Sequence, residues 1–318
     1  MNDGLPLISV VLPVFNKQNA LPDTLFSLWN QVGRDQLFLL ELVLVDDAST
    51  DSSVEVAARW ALENNACLKS SRRQFNSGPS VCLNEAVSQA SGKWVLVFDA
   101  DDIAPANVVS QMFSALLSTG ADYIYGRSKK TLMTPREAFE SRLPKVVGYL
   151  VSDNPCRFML DKRIVHPVVL LKREHFLAVG GASPQIFIQD ESLACRLARQ
   201  SSRAALIDLP CRYVLHGTSV SHLSSNQLQQ HHDQYLAARE ALLSDKLPDD
   251  CRAGFAGKCL SAYWKSQRSG GSGVLALPLY LLGKVLPRLT YAVCCHFINN
   301  HFSSLNGVRR MAQTSEEE

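Results

Sequence analysis

Trp94-Val-Leu-Val-Phe-Asp-Ala-Asp-Asp102 passes directly from a continuous apolar segment into a cluster of carboxylates. The apolar part, Trp94 to Phe98, shows no polar alternation and is expected to be a short strand buried on both faces. Two earlier segments are built the same way. Ile8-Ser-Val-Val-Leu-Pro-Val14 leads into Asn16, and Leu39 to Val45 ends in Asp46-Asp47. Helical signals lie between them. Leu21, Leu25 and Leu28 have helical spacing, and a helix capped by Thr50 or Asp51 runs to Asn64 with Val54, Ala58, Ala61 and Leu62 inward. A third helix starts at Pro79 and ends at Gly92. Strands alternating with helices imply parallel pairing and a doubly wound α/β sheet. Ligands on such sheets sit beyond the carboxyl ends of the strands, where both acidic clusters fall.

Further along, Asp122 to Tyr125 and Val165 to Leu171 are expected strands, and Gly180-Gly181 is a turn. Asp190 to Arg199 forms a short helix with Leu193 and Leu197 inward. Ala204 to Leu209 and Tyr213 to His216 are late strands, and the pattern turns helical from Asn226. Ser269-Gly-Gly-Ser-Gly273 has the composition of a flexible linker. The expected organisation is one domain over residues 1–225, with halves at 1–103 and 104–225, followed by a helical, basic and apolar region over 226–318.

The 318 residues are 46% hydrophobic and 19% charged, enough apolar content for a sizeable core, which excludes disorder as the main state. Nine cysteines with no CxxC pair and no regular spacing argue against a disulfide scaffold or zinc ribbon, and for reduced thiols packed as small hydrophobes. Met1 to Leu7 has no basic leader region, so a cytosol-facing protein is expected. Charge is uneven. Cys251 to Arg310 holds eight basic residues and no Asp or Glu, so this block is +8 and the remainder, against a total of +2, is −6. Leu275, Leu279, Leu282, Leu286, Leu289, Val293 and Phe297 fall on one helical stripe, with Lys284 and Arg288 off it. Pro287 and these two charges interrupt the stretch too early for a spanning helix of roughly 20 apolar residues. Residues 274–298 therefore suit contact with an anionic membrane surface; the alternatives are a helix packed on the domain or a contact in a homodimer. No nucleic-acid partner is expected.

Asp-rich loops after strands are commonly caps or turns. Two of them opening on one crevice is different, because crowded carboxylates repel unless a cation or hydrogen-bond donors compensate. Hard oxygen ligands suit Mg²⁺ or Mn²⁺, which also bind phosphate oxygens. The chain has neither a GxGxxG turn nor a GxxxxGK[ST] loop, which disfavours dinucleotide redox chemistry and P-loop hydrolysis.

Several motifs together carry a family likeness. Val10-Val-Leu-Pro-Val-Phe-Asn16, Leu44-Val-Asp-Asp-Ala-Ser-Thr-Asp51, Asn76-x-Gly78 with Leu83-Asn84, and Gly92 through Asp102 occur in the order and spacing of family 2 glycosyltransferases. Val179-Gly-Gly181, Gln189 to Leu197 and Tyr213-Val-Leu-His216 resemble that family's acceptor half, so the likeness covers roughly residues 8–220. It implies a GT-A fold, a Rossmann-like doubly wound mixed sheet with a C-terminal helical extension here, and inverting transfer from a nucleotide diphosphate sugar to a glycan or lipid-linked acceptor. It also implies roles. Pro13, Val14, Phe15, Asn16, Asp46, Asp47, Asn76, Gly78, Asn84, Asp99, Ala100 and Asp101 would line the nucleotide-sugar site. Asp99, Asp101 and Asp102 cover the DxD signature, with Asp101 first in line for metal or ribose; His216 aligns with a histidine that in some relatives binds metal or diphosphate. Asp190 matches the catalytic base, although Gln189-Asp190-Glu191 stands where the family has Glu-Asp, leaving open which carboxylate faces the acceptor. Arg72 and Arg73 are weaker diphosphate candidates. Mn²⁺ or Mg²⁺ is the implied cofactor, and cell-surface polysaccharide synthesis on the cytoplasmic side of a bacterial inner membrane is the implied setting. Other readings are a non-catalytic nucleotide-sugar binder, a nucleotidyltransferase and a polyprenyl-phosphate sugar synthase.

Overall fold

The computed structural model describes residues 4–144, 148–162, 164, 168–215, 227–269, 273–306 and 308. Its strands are β1 (Leu7–Val14), β2 (Leu39–Asp46), β3 (Leu68–Arg72), β4 (Trp94–Val97), β5 (Asp102–Ile103), β6 (Tyr123–Thr131), β7 (Tyr149–Ser152), β8 (Val168–Lys172) and β9 (Ala204–Leu215). The helices are α1 (Leu21–Trp29), α2 (Ser53–Glu63), α3 (Pro79–Gln89), α4 (Val108–Thr119), α5 (Pro135–Glu140), α6 (Pro155–Lys162), α7 (Arg173–Ala178), α8 (Gln189–Gln200), α9 (Gln227–Leu242), α10 (Asp249–Ser269), α11 (Gly273–Val285) and α12 (Pro287–Ser304). The strands form one sheet in the order β3-β2-β1-β4-β8-β6-β9-β5, with β7 also paired to β9.

The first half is parallel, as the strand–helix alternation requires: β1 pairs with β2 and β4, and β2 with β3. Beyond β4 the sheet is mixed, because β8 runs antiparallel to both β4 and β6. The two late strand segments are a single strand, β9, paired in parallel with β6 across a register shift at Arg127. The short β3, with its polar sequence Leu68-Lys-Ser-Ser-Arg72, carries no apolar run and was not legible as a strand. The expected strand ending at Leu171 corresponds to β8, its first three residues lying outside the described set.

Three local readings change. The buried side of α2 is Ala57, Trp60 and Ala61, whereas Ala58 and Leu62 are exposed and Val54 is half-buried. Helix α3 stops at Gln89 rather than at Gly92. A Cβ at Gly92 would come within 2.5 Å of Ser9 Oγ and 2.8 Å of the Leu7 carbonyl, so this glycine permits β1 to pass closely rather than closing a helix. Helix α2 begins after Ser52, while Asp51 accepts the Ser53 amide at 3.0 Å and the Gln18 amide at 3.1 Å, tying the β1–α1 turn to the start of α2.

Beside Gly92 lies a buried carboxylate that the apolar pattern of β2 conceals. Glu41 accepts the Ser9 hydroxyl and the Ser91 amide, each at 2.5 Å, and pairs with Lys69 at 3.1 Å. Burial opposes its ionisation, but the donors from Ser9, Ser91 and Lys69 outweigh it and hold its carboxyl below the ordinary range. A depressed folded-state value means stability that is full above the unfolded value and lost as pH falls through the folded one. Glu41→Ala strands these donors between β1, β2 and β4, and should cost about 3 kcal/mol or more. Thermal unfolding at pH 7 and pH 3 should show the gap between wild type and variant narrowing in acid.

The region after residue 226 shares the core of the sheet's second half. Tyr235, Phe255, Cys259, Ile298 and Phe302 belong to the same buried cluster as Val97, Tyr125, Phe176 and Leu193. Of the linker at 269–273, residues 270–272 lie outside the described set; α10 extends through Ser269 and α11 starts at Gly273.

Candidate active site

The residues expected to line the donor site begin with turns at the ends of β1 and β2. Asn16 and Ala48 both take positive φ, 53° and 60°, a strained conformation for residues with a Cβ. Hydrogen bonds hold them there. The Asn16 amide donates to Ser49 Oγ at 2.9 Å, and Asn16 Oδ1 accepts the Thr50 amide at 2.8 Å. Asp46, fully buried, accepts the Ser49 amide at 3.0 Å and the Ser49 hydroxyl, and faces Arg72 Nε at 3.4 Å. Asp47 accepts the Ser77 amide at 2.6 Å and the Gly78 amide at 2.8 Å. Gly78 has φ 86°, open to glycine, and directly precedes Pro79 at the head of α3. Both carboxylates thus close their own loops.

Other residues of the expected donor set have structural partners as well. The Asn84 amide exchanges two bonds with the backbone of Ala182, at 2.8 and 2.9 Å, joining α3 to the loop before α8. The Val14 carbonyl accepts the Asp47 amide at 2.7 Å, and the Ala100 carbonyl accepts Thr24 Oγ1 at 3.2 Å. Pro13 and Phe15 flank Val14 at the end of β1, and Asn76 is half-buried beside Ser77. Arg73 pairs with Glu85 and bonds Ser77. His216 lies outside the described residues.

The three carboxylates after β4 are each met by a cation of the chain. Arg212, 5% exposed on β9, pairs with Asp99 and lies 3.0 Å from Asp102, while its Nε also donates to Ser128 Oγ at 2.9 Å. Gln189 Nε2 donates to the other Asp99 oxygen at 3.1 Å. Lys17 Nζ donates to Asp101 at 2.5 Å. Burial pushes the Asp102 carboxyl well above its usual range; Asp99 and Asp101 add to this and Arg212 opposes it. For Arg212, burial works against the charge, but the surrounding carboxylates prevail and hold it firmly protonated. Neither cation was anticipated from the sequence. The available signal for Arg212 was a charged residue inside an apolar strand; Lys17, next to Asn16, gave none.

Across from this cluster stands the first turn of α8. Asp190 lines one small cavity with Asp99, Gln189 and Arg212, floored by Val97 and Tyr125. Glu191 turns aside and accepts Gln234 Nε2 at 3.0 Å, so Asp190 is the carboxylate facing the cavity. Helix α9 sets this turn in place. Asp233, fully buried, accepts the amide of Ile188, the α8 N-cap, at 2.9 Å, and is itself bonded by Gln229 Nε2 at 2.9 Å and approached by His232 Nδ1 at 2.8 Å. Glu240 binds Arg196 and Arg199 lower on α8.

A parallel half-sheet ending in carboxylates, joined to a mixed half that presents a further carboxylate across the same cavity, defines the GT-A class of fold. Solved structures bear this out. S. aureus TarS 1-349 in complex with UDP-GlcNAc superposes with TM-score 0.64 at 19% identity, covering 93% of this chain and 89% of that one. The mannosyltransferase PcManGT of Pyrobaculum calidifontis, in complex with GDP-Man and Mn²⁺, superposes at 0.63 and 19% identity, covering 95% and 84%. The model of glycosyl transferase family 2 matches residues 9–174, just over half of the chain, and the chain belongs to that family. Among its relatives, the poly(ribitol-phosphate) beta-glucosyltransferase of Bacillus spizizenii is 25% identical over 194 residues, 59% of this chain but only 30% of that protein's length.

Proposed function

We propose that this chain is an inverting glycosyltransferase of the hexosyl or N-acetylhexosaminyl class, moving a sugar from a nucleotide diphosphate sugar, UDP-linked by preference, to a hydroxyl of a glycan or lipid-linked acceptor. One observation carries this reading: Asp190 and the Asp99–Arg212 pair line a single cavity at the carboxyl end of the sheet. The acceptor oxygen forms its bond to the anomeric carbon as the bond from that carbon to the diphosphate oxygen breaks on the opposite face. Asp190 receives the acceptor's proton, the nucleoside diphosphate leaves, and the glycosidic product has inverted configuration.

The residues fit a divalent ion of the Mn²⁺ or Mg²⁺ type. Asp99 has both oxygens engaged and Asp102 is sealed against Arg212, whereas among the described residues Asp101 is met by Lys17. Such ions commonly use one or two carboxylates and complete their shell with water and phosphate oxygens. Asp101 would hold it, and when bound the ion neutralises charge on the departing diphosphate. PcManGT, solved with Mn²⁺, is consistent with this use. A panel of UDP-, GDP- and dTDP-sugars, followed by thermal shift with and without Mn²⁺, tests the assignment, since a donor that binds the native state raises its apparent stability. No shift with any donor would remove it.

The acceptor setting rests on α11 and α12. Among the described residues no helix is long and apolar enough to cross a membrane. One side of the pair is packed through Ala276, Thr290, Ile298 and Phe302, and Leu279 also meets the core rather than joining an outer stripe. The other side is bare: Val274, Leu281, Leu282, Val285, Leu289, Val293 and Phe297 are each more than half exposed. Lys284 and Arg288 are exposed alongside them, and no acidic residue occurs anywhere in 251–310. Apolar surface beside exposed positive charge matches an anionic lipid surface, where a lipid-linked precursor of surface polysaccharide or lipopolysaccharide O-antigen would be presented, on the cytoplasmic face of a bacterial inner membrane. Deleting 274–318 would strip Ile298 and Phe302 from the core, so substitutions are the better test. Lys284→Glu with Arg288→Glu should reduce sedimentation with phosphatidylglycerol vesicles by about thirtyfold or more, because each basic residue near such a surface contributes about 1 kcal/mol and about 1.4 kcal/mol is tenfold. Leu282→Ser with Leu289→Ser should reduce it by about tenfold while leaving the melting temperature close to wild type, since both leucines are more than half exposed. Undiminished vesicle binding by both pairs would discard the membrane reading.

A further inference from the structure

The three carboxylates after β4 are neutralised in two different ways. Arg212 is clamped: its guanidinium is buried and divided among Asp99, Asp102 and Ser128, each of which fixes one direction of a rigid planar fork. Lys17 is tethered at one end only. Its amide donates to Ser53 Oγ at 2.8 Å, and its carbonyl accepts the amides of Ala20 at 3.1 Å and Leu21 at 2.9 Å, so the backbone is pinned where β1 turns into α1. Four methylenes then carry the ammonium to Asp101, with both side chains mostly shielded from water. An ammonium on such a stem can change partners while the backbone stays in place.

We infer that Lys17 is the resident counter-ion of Asp101 and must exchange with an incoming divalent ion, which makes metal binding depend on the nucleotide diphosphate. The inference rests on the donor-site reading above. Lys17 already holds one oxygen of Asp101, and a doubly charged ion placed on the same carboxylate would be repelled by the ammonium beside it. Metal alone gains one carboxylate at the cost of leaving an ammonium in a shielded crevice without its partner. A diphosphate arriving with the metal resolves both problems: its oxygens complete the ion's shell and also receive the displaced ammonium. Lys17 therefore holds the acidic cluster together before the donor binds and contacts the diphosphate afterwards. Arg212 keeps Asp99 and Asp102 in place through both states.

The test is calorimetric titration of Mn²⁺ into the full chain, alone and in the presence of UDP, GDP or dTDP, using wild type, Lys17→Met and Lys17→Arg. Met keeps the stem and removes the charge. Wild type should bind Mn²⁺ alone at least about tenfold more weakly than with the nucleotide, the scale on which groups around a metal ligand alter affinity. Lys17→Met should bind Mn²⁺ alone about tenfold more tightly than wild type, and lose most of the nucleotide dependence. Lys17→Arg should resemble wild type. Adding Asp101→Asn to Lys17→Met should abolish the gain. Lys17→Met binding Mn²⁺ alone no better than wild type, while still binding nucleotide with Mn²⁺, overturns the exchange and leaves the donor site standing. A gain that survives Asp101→Asn also overturns it, since the ion then sits elsewhere. If no variant binds any nucleotide with Mn²⁺ despite normal melting curves, the donor-site reading fails and the exchange fails with it.

Discussion

Asp190→Asn is expected to lower turnover at least about a hundredfold, the scale for removing a positioned acid–base group, while leaving donor affinity and melting temperature close to wild type. The substitution is nearly isosteric and lies half-buried in the first turn of α8, whose N-cap amide is held independently by Asp233 at 2.9 Å. Asp190 is one of the carboxylates that act on Arg212, and Asp99 and Asp102 still hold that guanidinium after the change. The adjacent acid cannot take over, because Glu191 is engaged by Gln234 on the side away from the cavity. Glu191→Gln is therefore the matched control and should retain turnover within a few fold. Release of nucleoside diphosphate from a donor that supports turnover provides the assay. A variant Asp190→Asn with near-normal kcat, or a Glu191→Gln that is the more damaged of the two, would move the base away from Asp190.

Arg212→Met should be the most destabilising single change in the site. Methionine matches the length of the stem, so the loss is electrostatic: Asp99 and the buried Asp102 are left facing Asp101 without their shared counter-ion. Breaking a buried pair on one side costs about 3–5 kcal/mol, which for a chain of this size corresponds to a fall in melting temperature of roughly 10 °C. The sign of the pH effect follows from Asp102. Its folded-state carboxyl already sits well above the ordinary value because of burial and its acidic neighbours. A raised folded value means the native state takes up the proton first, so stability declines as pH rises from the unfolded value through the folded one. Removing Arg212 enlarges that decline. The deficit of Arg212→Met should accordingly be greatest near pH 8 and shrink near pH 5. The double variant Arg212→Met with Asp102→Asn should recover part of the lost stability, since residues in one ion-pair network do not act additively. A deficit independent of pH and unrelieved by Asp102→Asn would mean that Arg212 matters for packing rather than charge.

The parts of the fold legible in the sequence were those governed by short-range chemistry. The apolar runs at Ile8 to Val14, Leu39 to Val45 and Trp94 to Phe98 became β1, β2 and β4, paired in parallel. Leu21, Leu25 and Leu28 became the buried face of α1, and Leu193 and Leu197 that of α8. The polar edge strand β3 escaped detection because its stability comes from pairing with β2, not from its own apolar content. Gly92 looked like a helix stop, but the demand for glycine there comes from Ser9 and Leu7, which are distant in sequence. The outer stripe drawn along 274–298 was divided in the same way. Leu279 and Leu289 share a helical phase with the rest, yet only the packing of α11 and α12 against α10 determines which of them is covered.

For the site, the sequence alone determined which carboxylates follow which strands, and hence that Asp46 and the run Asp99 to Asp102 lie at the carboxyl ends of β2 and β4. That follows from local periodicity, which a linear pattern records. Tertiary structure decided what each carboxylate faces. That Asp190 rather than Glu191 lines the cavity depends on α9, more than thirty residues later, and the compensation of the carboxylates after β4 depends on Lys17 and Arg212, drawn from distant parts of the chain. Coulombic and hydrogen-bond energies vary with separation in space and with burial, and neither quantity is written in the order of the residues.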